Sequence, residues 1–293
     1  MPAIVNGTKL VLMRKWDAGR ALQLIEAERV NSAGGVPTIA WQLVEHPDRE
    51  KYDLSSLQVI GWGGAPAAPE LIRKVREVFP GANPGNGWGM TETASGVTGI
   101  ADEDYIERPD SAGVVFPAWD IKIVEPETLK ELGTDEIGEL WARGVGVIKG
   151  YWRKPEATAQ TFVDGWVRTG DLARIDADGH LIIIDRVKDM LIRGGQNIYS
   201  VEIENILYSH PDVVDAAVVP IPHRTLGEVV GAVVRLRDGA SLNEADLQAF
   251  ARERMASYKT PERVAFWDEP LPRNAAGKIL KRELRAAFQP IDA

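Results

Sequence analysis

In NGWGMTE, residues 86–92, glycines at 87 and 89 leave room for backbone to approach a ligand. Trp88 offers a flat face for stacking, Thr91 a hydroxyl for a phosphate oxygen, and Glu92 a carboxylate of the kind that Mg²⁺ prefers. A bland alternative stands beside this: Thr91 or Thr93 caps a helix and Glu92 faces solvent, since short motifs often match by chance. GWGGAP, 61–66, puts a glycine turn after a buried strand, either a ligand edge of an α/β fold or only a tight connection. RTGDL, 168–172, sets Asp171 at the end of a strand, as an acceptor for both hydroxyls of a ribose or as an exposed turn residue. DRVKDMLIRGGQN, 185–197, carries Arg186, Lys188 and Asp189 ahead of Gly194 and Gly195, which suits either a hinge or a static charged linker. LPRNAAGKILKREL, 271–284, presents Lys278 from a small-residue loop. A lysine there can neutralise charge that develops in phosphoryl or nucleotidyl chemistry, or can simply be solvated.

The elements that must position these residues read as three textures. LVLMRKW suggests a short strand, followed by a helix capped near Asp17 with Ala21, Leu22 and Ile25 inward. A second helix opens near Pro37, and SSLQVIGWGG is a buried strand ending in a glycine turn. Pro69 then starts a helix with Ile72, Val75 and Phe79 on one face. From about residue 110, IKIVE, GELWARG, GWVRTGDLARID and HLIIID are short strands. The Asp164-Gly165 and Asp178-Gly179 dipeptides between them predict hairpins and a small antiparallel sheet or barrel. After residue 187, SVEIENILYSH and an Asn243-capped NEADLQAFARERM are helices around the strands VVDAAVVPI and VVGAVVRLR. The fold class is therefore α/β plus α+β. Residues 1–187 form a large part (1–109 α/β, 110–187 β-rich and barrel-like), and 188–293 form a compact α+β module.

Bulk composition narrows the function. The 293 residues carry 34 basic and 43 acidic side chains, a net charge of −9, which argues against a broad nucleic-acid face while leaving room for a local anion pocket. With no cysteine there is no disulfide, thiolate metal site or cysteine nucleophile, and the four histidines lack ligand spacing. No apolar run approaches a membrane span and the N-terminus lacks the features of a signal peptide, so the reading is a soluble cytoplasmic protein.

Taken in succession, GWGGAP, NGWGMTE, GELWARG, RTGDL, DRVKDMLIRGGQN and PRNAAGKILK resemble the second half of the adenylate-forming family, closest to its fatty-acyl and aryl acid–CoA ligases. The resemblance covers essentially the whole chain. It implies a two-step reaction of a carboxylic acid, ATP and CoA through an acyl-adenylate, with Mg²⁺ and no tightly bound prosthetic group. It implies that Gly64 and Ala65 line adenine, that Asn86 and Gly87 belong to the same nucleotide site, and that Trp88 stacks where relatives often have Tyr. Thr91 would meet the α-phosphate and Glu92 the Mg²⁺, making Lys278, Thr91 and Glu92 the catalytic set. Asp171, helped by Arg186, would take the ribose, Lys188 would be the hinge, and Gly194 and Gly195 would line the pantetheine channel of a mobile C-terminal module.

Two departures stand out. YSVEIE replaces the usual Tyr-Pro before a helix, which predicts only a slightly looser helix start. The family's Ser/Thr/Gly-rich triphosphate loop has no counterpart in these residues. The expectation is thus a C-terminal piece of a longer ligase, with half of a split enzyme, or a non-catalytic remnant that binds nucleotide or a partner, as alternatives. Strands near 10 and 60 with open edges predict a tendency to oligomerise.

Overall fold

The computed structural model describes residues 6–64, 67–274 and 278–291. Helix α1 (Ala18–Glu28) starts where Asp17 accepts the Arg20 N–H at 2.7 Å, and it buries Ala21, Leu22 and Ile25. Strand β1 (Ser32–Gly35) leads to α2 (Pro37–Val44), β2 (Val59–Gly63), α3 (Pro69–Val78) and β3 (Asn83–Gly87). Proline opens both α2 and α3, where its missing N–H costs nothing. The short pair β4 (Gly89–Met90) and β5 (Ser95–Gly96) follows, then β6 (Thr98–Ala101), α4 (Asp102–Glu107) and β7 (Val114–Val115). β1, β2 and β3 run parallel, and β6 and β7 extend the sheet antiparallel in the order β1-β2-β3-β6-β7. The helices cover it with Leu22, Leu43, Leu71, Ile72 and Val75.

One expectation changes here. The strand read into LVLMRKW does not form: no strand pairs with residues 8–12, and Leu10 and Leu12 stay exposed. Conversely Asn-Pro-Gly-Asn-Gly, a poor strand sequence, becomes β3 because β2 and β6 supply ladders on both its sides.

The next unit is antiparallel: β8 (Trp119–Val124), β9 (Gly138–Gly144), α5 (Pro155–Thr161), β10 (Phe162–Val163), β11 (Trp166–Ile175) and β12 (Leu181–Arg186). Val163 pairs with Trp166 across Asp164-Gly165, both at positive φ (50° and 81°), the two-residue turn that this dipeptide predicts. The strands run β10-β11-β9-β8 with β12 also on β11, a half-barrel rather than a closed one. Its core contains Leu140, Val167 and Leu181 and also takes in Trp88 and Val97 from the preceding loop.

The last unit holds β13 (Leu191–Arg193), β14 (Gln196–Ile198), α6 (Ser200–Tyr208), β15 (Val213–His223), β16 (Gly227–Leu236), α7 (Glu244–Arg252), β17 (Arg263–Phe266) and α8 (Lys281–Leu284). Its sheet is ordered β14-β13-β16-β15, with β17 parallel to β16. One face packs Ile203, Leu207, Leu247 and Ala251, and the other packs Leu271 and Leu284. Among the described residues no helix is long and apolar enough to cross a membrane.

Candidate functional site

β2 and β3 end side by side, with Gly63 opposite Gly87, so Gly64 and Trp88 leave the parallel sheet at the same carboxyl end. Open parallel sheets bind ligands at that end. Gly64 has φ 75° and open space where a Cβ would stand. Ala65 lies outside the described residues.

The glycines of the 86–92 stretch have an intrachain reason that the sequence did not disclose. A Cβ at Gly87 would stand 2.8 Å from Thr98 O, and one at Gly89 only 2.7 Å from Gly96 Cα. They let β3 and β4 close onto β6 and β5. Asn86 donates its amide to Ser111 O at 2.9 Å, which ties β3 to the approach to β7. Of the two threonines, Thr93 does the capping. It is buried, its Oγ1 accepts the Met90 N–H at 3.0 Å, and it lies 2.9 Å and 2.8 Å from Met90 O and Ser95 O. Thr91 is exposed and its hydroxyl bonds to none of the described residues. Glu92 does not simply face solvent: Oε1 accepts the Tyr151 hydroxyl at 2.7 Å. Burial, followed by that carboxylate, pushes the Tyr151 hydroxyl above its ordinary value.

Asp171 owes its position to a bulge. Between the pairs Arg168–Trp141 and Leu172–Glu139, β11 spends residues 169–171 against one residue of β9, with Gly170 at φ 69°. Glu139 holds the bulge from below. It accepts Gly170 N–H at 3.2 Å on Oε1, and on Oε2 it accepts Arg168 Nη2 at 2.9 Å and Trp141 Nε1 at 3.0 Å. Asp171 pairs across the ladder with Arg186. Its Oδ2 accepts the Trp88 indole N–H at 2.8 Å, and Arg186 Nε stands 3.0 Å from Oδ1, with its N–H off the line that a hydrogen bond requires. Burial raises the Asp171 carboxyl above the usual carboxylate range. Arg186, the Trp88 N–H and the charge of Lys278 pull the other way. A carboxylate offers about four acceptor positions, so lone pairs remain for a ligand diol.

Trp88 is only 8% exposed, packed in the half-barrel core with its N–H taken by Asp171. Little of its face is left for stacking, which limits the contact that the sequence suggested. Lys278 is exposed at the end of a loop closed by its own backbone: Asn274 N–H donates to Lys278 O at 2.9 Å, and Lys278 N–H to Asn274 Oδ1 at 3.0 Å. That loop belongs to the last unit, yet its lysine lies near enough to Asp171 for its charge to favour the ionised form.

Other expected residues lie apart. Lys188 is exposed in the turn Val187–Asp189 that joins β12 to β13. Gly194 and Gly195 (φ 57° and 82°) form the two-residue tip of the β13–β14 hairpin, with Gly194 N–H on Leu226 O. A cleft of about 450 Å³ opens beside the site between Glu92, Tyr151, Gln160, Arg168, Gly170 and Arg186; Asp171 and Lys278 do not line it. A second, about 370 Å³ between Trp16, Asp17, Gln42 and His46, contains none of the expected residues. Sequence reasoning passed over Tyr151 and Glu139. The usable signal for Glu139 was a carboxylate alternating with Leu140 and Gly138 inside a strand that the half-barrel buries.

Comparisons with known proteins identify the family and the fold. Residues 1–152 match the model of the AMP-binding enzyme family, and residues 202–278 that of the AMP-binding enzyme C-terminal domain. A feruloyl-CoA synthase from an Amycolatopsis species is 40% identical over 288 residues, covering 98% of this chain and 58% of its own length. A 2-succinylbenzoate–CoA ligase of Geobacillus kaustophilus is 40% identical over 286 residues, covering 97% and 57%. The solved o-succinylbenzoate CoA synthetase of Bacillus subtilis, in complex with its acyl-adenylate intermediate, superposes with a TM-score of 0.88 at 32% identity, covering 99% of this chain and 58% of that one. The chain thus spans little more than half the length of the relatives it matches.

Proposed function

The chain belongs to the AMP-binding enzyme family, and from that premise we propose that it carries the ribose-, α-phosphate- and CoA-facing groups of an AMP-forming acid–CoA ligase. The observation that carries the reading is Asp171: a largely buried carboxylate that accepts the Trp88 indole N–H and lies 3.0 Å from Arg186 Nε, with the charge of Lys278, from the last unit, also favouring its ionised form. In the proposed reaction an acid carboxylate attacks the α-phosphate of ATP, giving acyl-AMP and pyrophosphate. The CoA thiol then attacks the acyl carbonyl and AMP leaves.

Asp171 accepts the ribose hydroxyls, helped by Arg186, and Gly64, Ala65, Asn86 and Gly87 border the adenine with the exposed part of Trp88. Thr91, whose hydroxyl is uncommitted, meets the α-phosphate. Lys278 bridges the acid carboxylate and the α-phosphate, where a cation stabilises the charge that grows as pyrophosphate departs. Glu92 suits Mg²⁺, which commonly takes one or two protein carboxylates plus substrate phosphates. The bound metal would supply charge neutralisation on those phosphates, while Tyr151 orients the carboxylate that holds it. Residues 188–293 are the mobile module, turning at Lys188 so that Gly194 and Gly195 serve the CoA step. The acid is a fatty or aryl carboxylate.

Pyrophosphate release from ATP-Mg²⁺ across short, long and aromatic acids tests this, with Lys278→Ala as control. Thioester formation from supplied acyl-AMP and CoA, which needs no triphosphate loop, is expected of the chain and of the control alike, and any acid-dependent pyrophosphate release is expected to be lost in the control. Binding of AMP with neither half-reaction would instead favour a nucleotide-sensing role.

A further inference from the structure

One buried polar chain crosses between the half-barrel and the last unit. Asp185, on β12 beside Arg186, is 2% exposed and sits at the N-terminus of α6. That helix has no side-chain cap of its own from Tyr199. Asp185 supplies one from another strand: its Oδ2 accepts the Ser200 N–H and, at 3.4 Å, the Val201 N–H, while Oδ1 accepts the Ser200 hydroxyl at 3.1 Å. The Ser200 hydroxyl in turn accepts Lys281 Nζ at 2.6 Å, and the same ammonium pairs with Glu204 Oε1 at 2.8 Å. Glu204 Oε1 also takes the Val218 N–H at 2.7 Å. The bonds run one way, from ammonium to hydroxyl to carboxylate.

This chain of bonds ends three residues from Lys278. Ile279 bridges Arg273 and Leu280 N–H reaches Pro272 O, so the intervening backbone has little slack. Desolvated ion pairs hold geometry strictly: the partners either meet with all their hydrogen bonds made or are left costly and unpaired. Ser200 is the first residue of α6, a position where proline suits a helix equally well. Proline there would lack both the N–H and the hydroxyl that make the crossing. The serine in YSVEIE is therefore not a looser helix start, as its sequence context suggested, but the link between two units.

We propose that Ser200, with Asp185 and Lys281, forms a latch that holds the last unit against the half-barrel and thereby positions Lys278. Lys278's role rests on the acid–CoA ligase reading. The latch itself does not, because it is a statement about the distance between two units.

The chain contains no cysteine, so spin labels at Lys130→Cys and Ser241→Cys report that distance alone by pulsed electron paramagnetic resonance. The latch predicts one narrow distribution in the otherwise unchanged chain. Ser200→Pro and Lys281→Met should each broaden it into at least two populations, with circular dichroism unchanged, and Lys281→Arg should restore the single one. A single narrow distribution in Ser200→Pro overturns the proposal, and that variant decides the matter if Lys281→Met fails to fold. Loss of pyrophosphate release with the distance unchanged would instead concern only the role of Lys278.

Discussion

Two loops bear on Asp171, one through the Trp88 indole N–H and one through the charge of Lys278, and they are built on different physics. The 86–96 loop is made by close packing: glycines at 87 and 89 let backbones touch, Thr93 closes the turn, and among the described residues no ion pair reaches it. The 273–281 loop is rooted in charge at both ends. At one root Arg273 meets Asp215 at 2.8 Å and 2.7 Å, with the Tyr208 hydroxyl donating to Asp215 at 2.6 Å. At the other root stands Lys281 between Ser200 and Glu204. Packing yields a fixed surface that has no alternative arrangement. Charge pairing yields a surface that is fully made or undone, which suits a part that leaves and returns.

The sharpest way to break this contrast is Lys281→Met. Stranding Glu204 without its cation should cost about 3–5 kcal/mol, read as a lowered urea midpoint for the last unit, and a neutral substitution would mean that charge does not hold that root. The packing-built side has a pH signature of its own. Burial pushes the Tyr105 hydroxyl, which accepts the Trp62 indole N–H at 3.1 Å, up to about 12. A raised folded value means that the unfolded chain loses its proton first. Tyr105's contribution to stability should therefore be full below pH 10 and fall by about 3 kcal/mol as pH rises to about 12, with Tyr105→Phe reducing the protein's alkaline loss of stability by that amount. Smaller still, Gly89→Ala should cost about 1–3 kcal/mol by overpacking β4 against β5. Gly195→Ala, with open space but positive φ, should cost about 1 kcal/mol. Equal costs at these two glycines would erase the distinction between a packed loop and an exposed hairpin tip.

Much of the fold was legible because local chemistry and tertiary structure agree. Asp17 and Asn243 cap the helices they precede, Pro37 and Pro69 open theirs, and Asp164-Gly165 makes its hairpin. β3 was not legible, since its ladders come from strands that its own residues do not announce. At the site, Asp171 and Trp88 were identifiable singly by side-chain chemistry and Arg186 only through the family resemblance, and the bulge that joins them was not legible. A bulge depends on how many residues two distant strands spend between pairs, and Glu139, which anchors it, reads in sequence as an ordinary strand residue. Ser200 was misjudged for a related reason. Its partners Asp185 and Lys281 lie 15 and 81 residues away.

The most direct test of the account is calorimetric titration of AMP into the chain and into Asp171→Asn. Charge-assisted hydrogen bonds to a ribose contribute about 1.5–3 kcal/mol each, so the account predicts binding that weakens by about tenfold or more in the variant. Equal affinity in the two proteins would contradict it, because the ribose would then be held somewhere other than the bulge on which both loops converge.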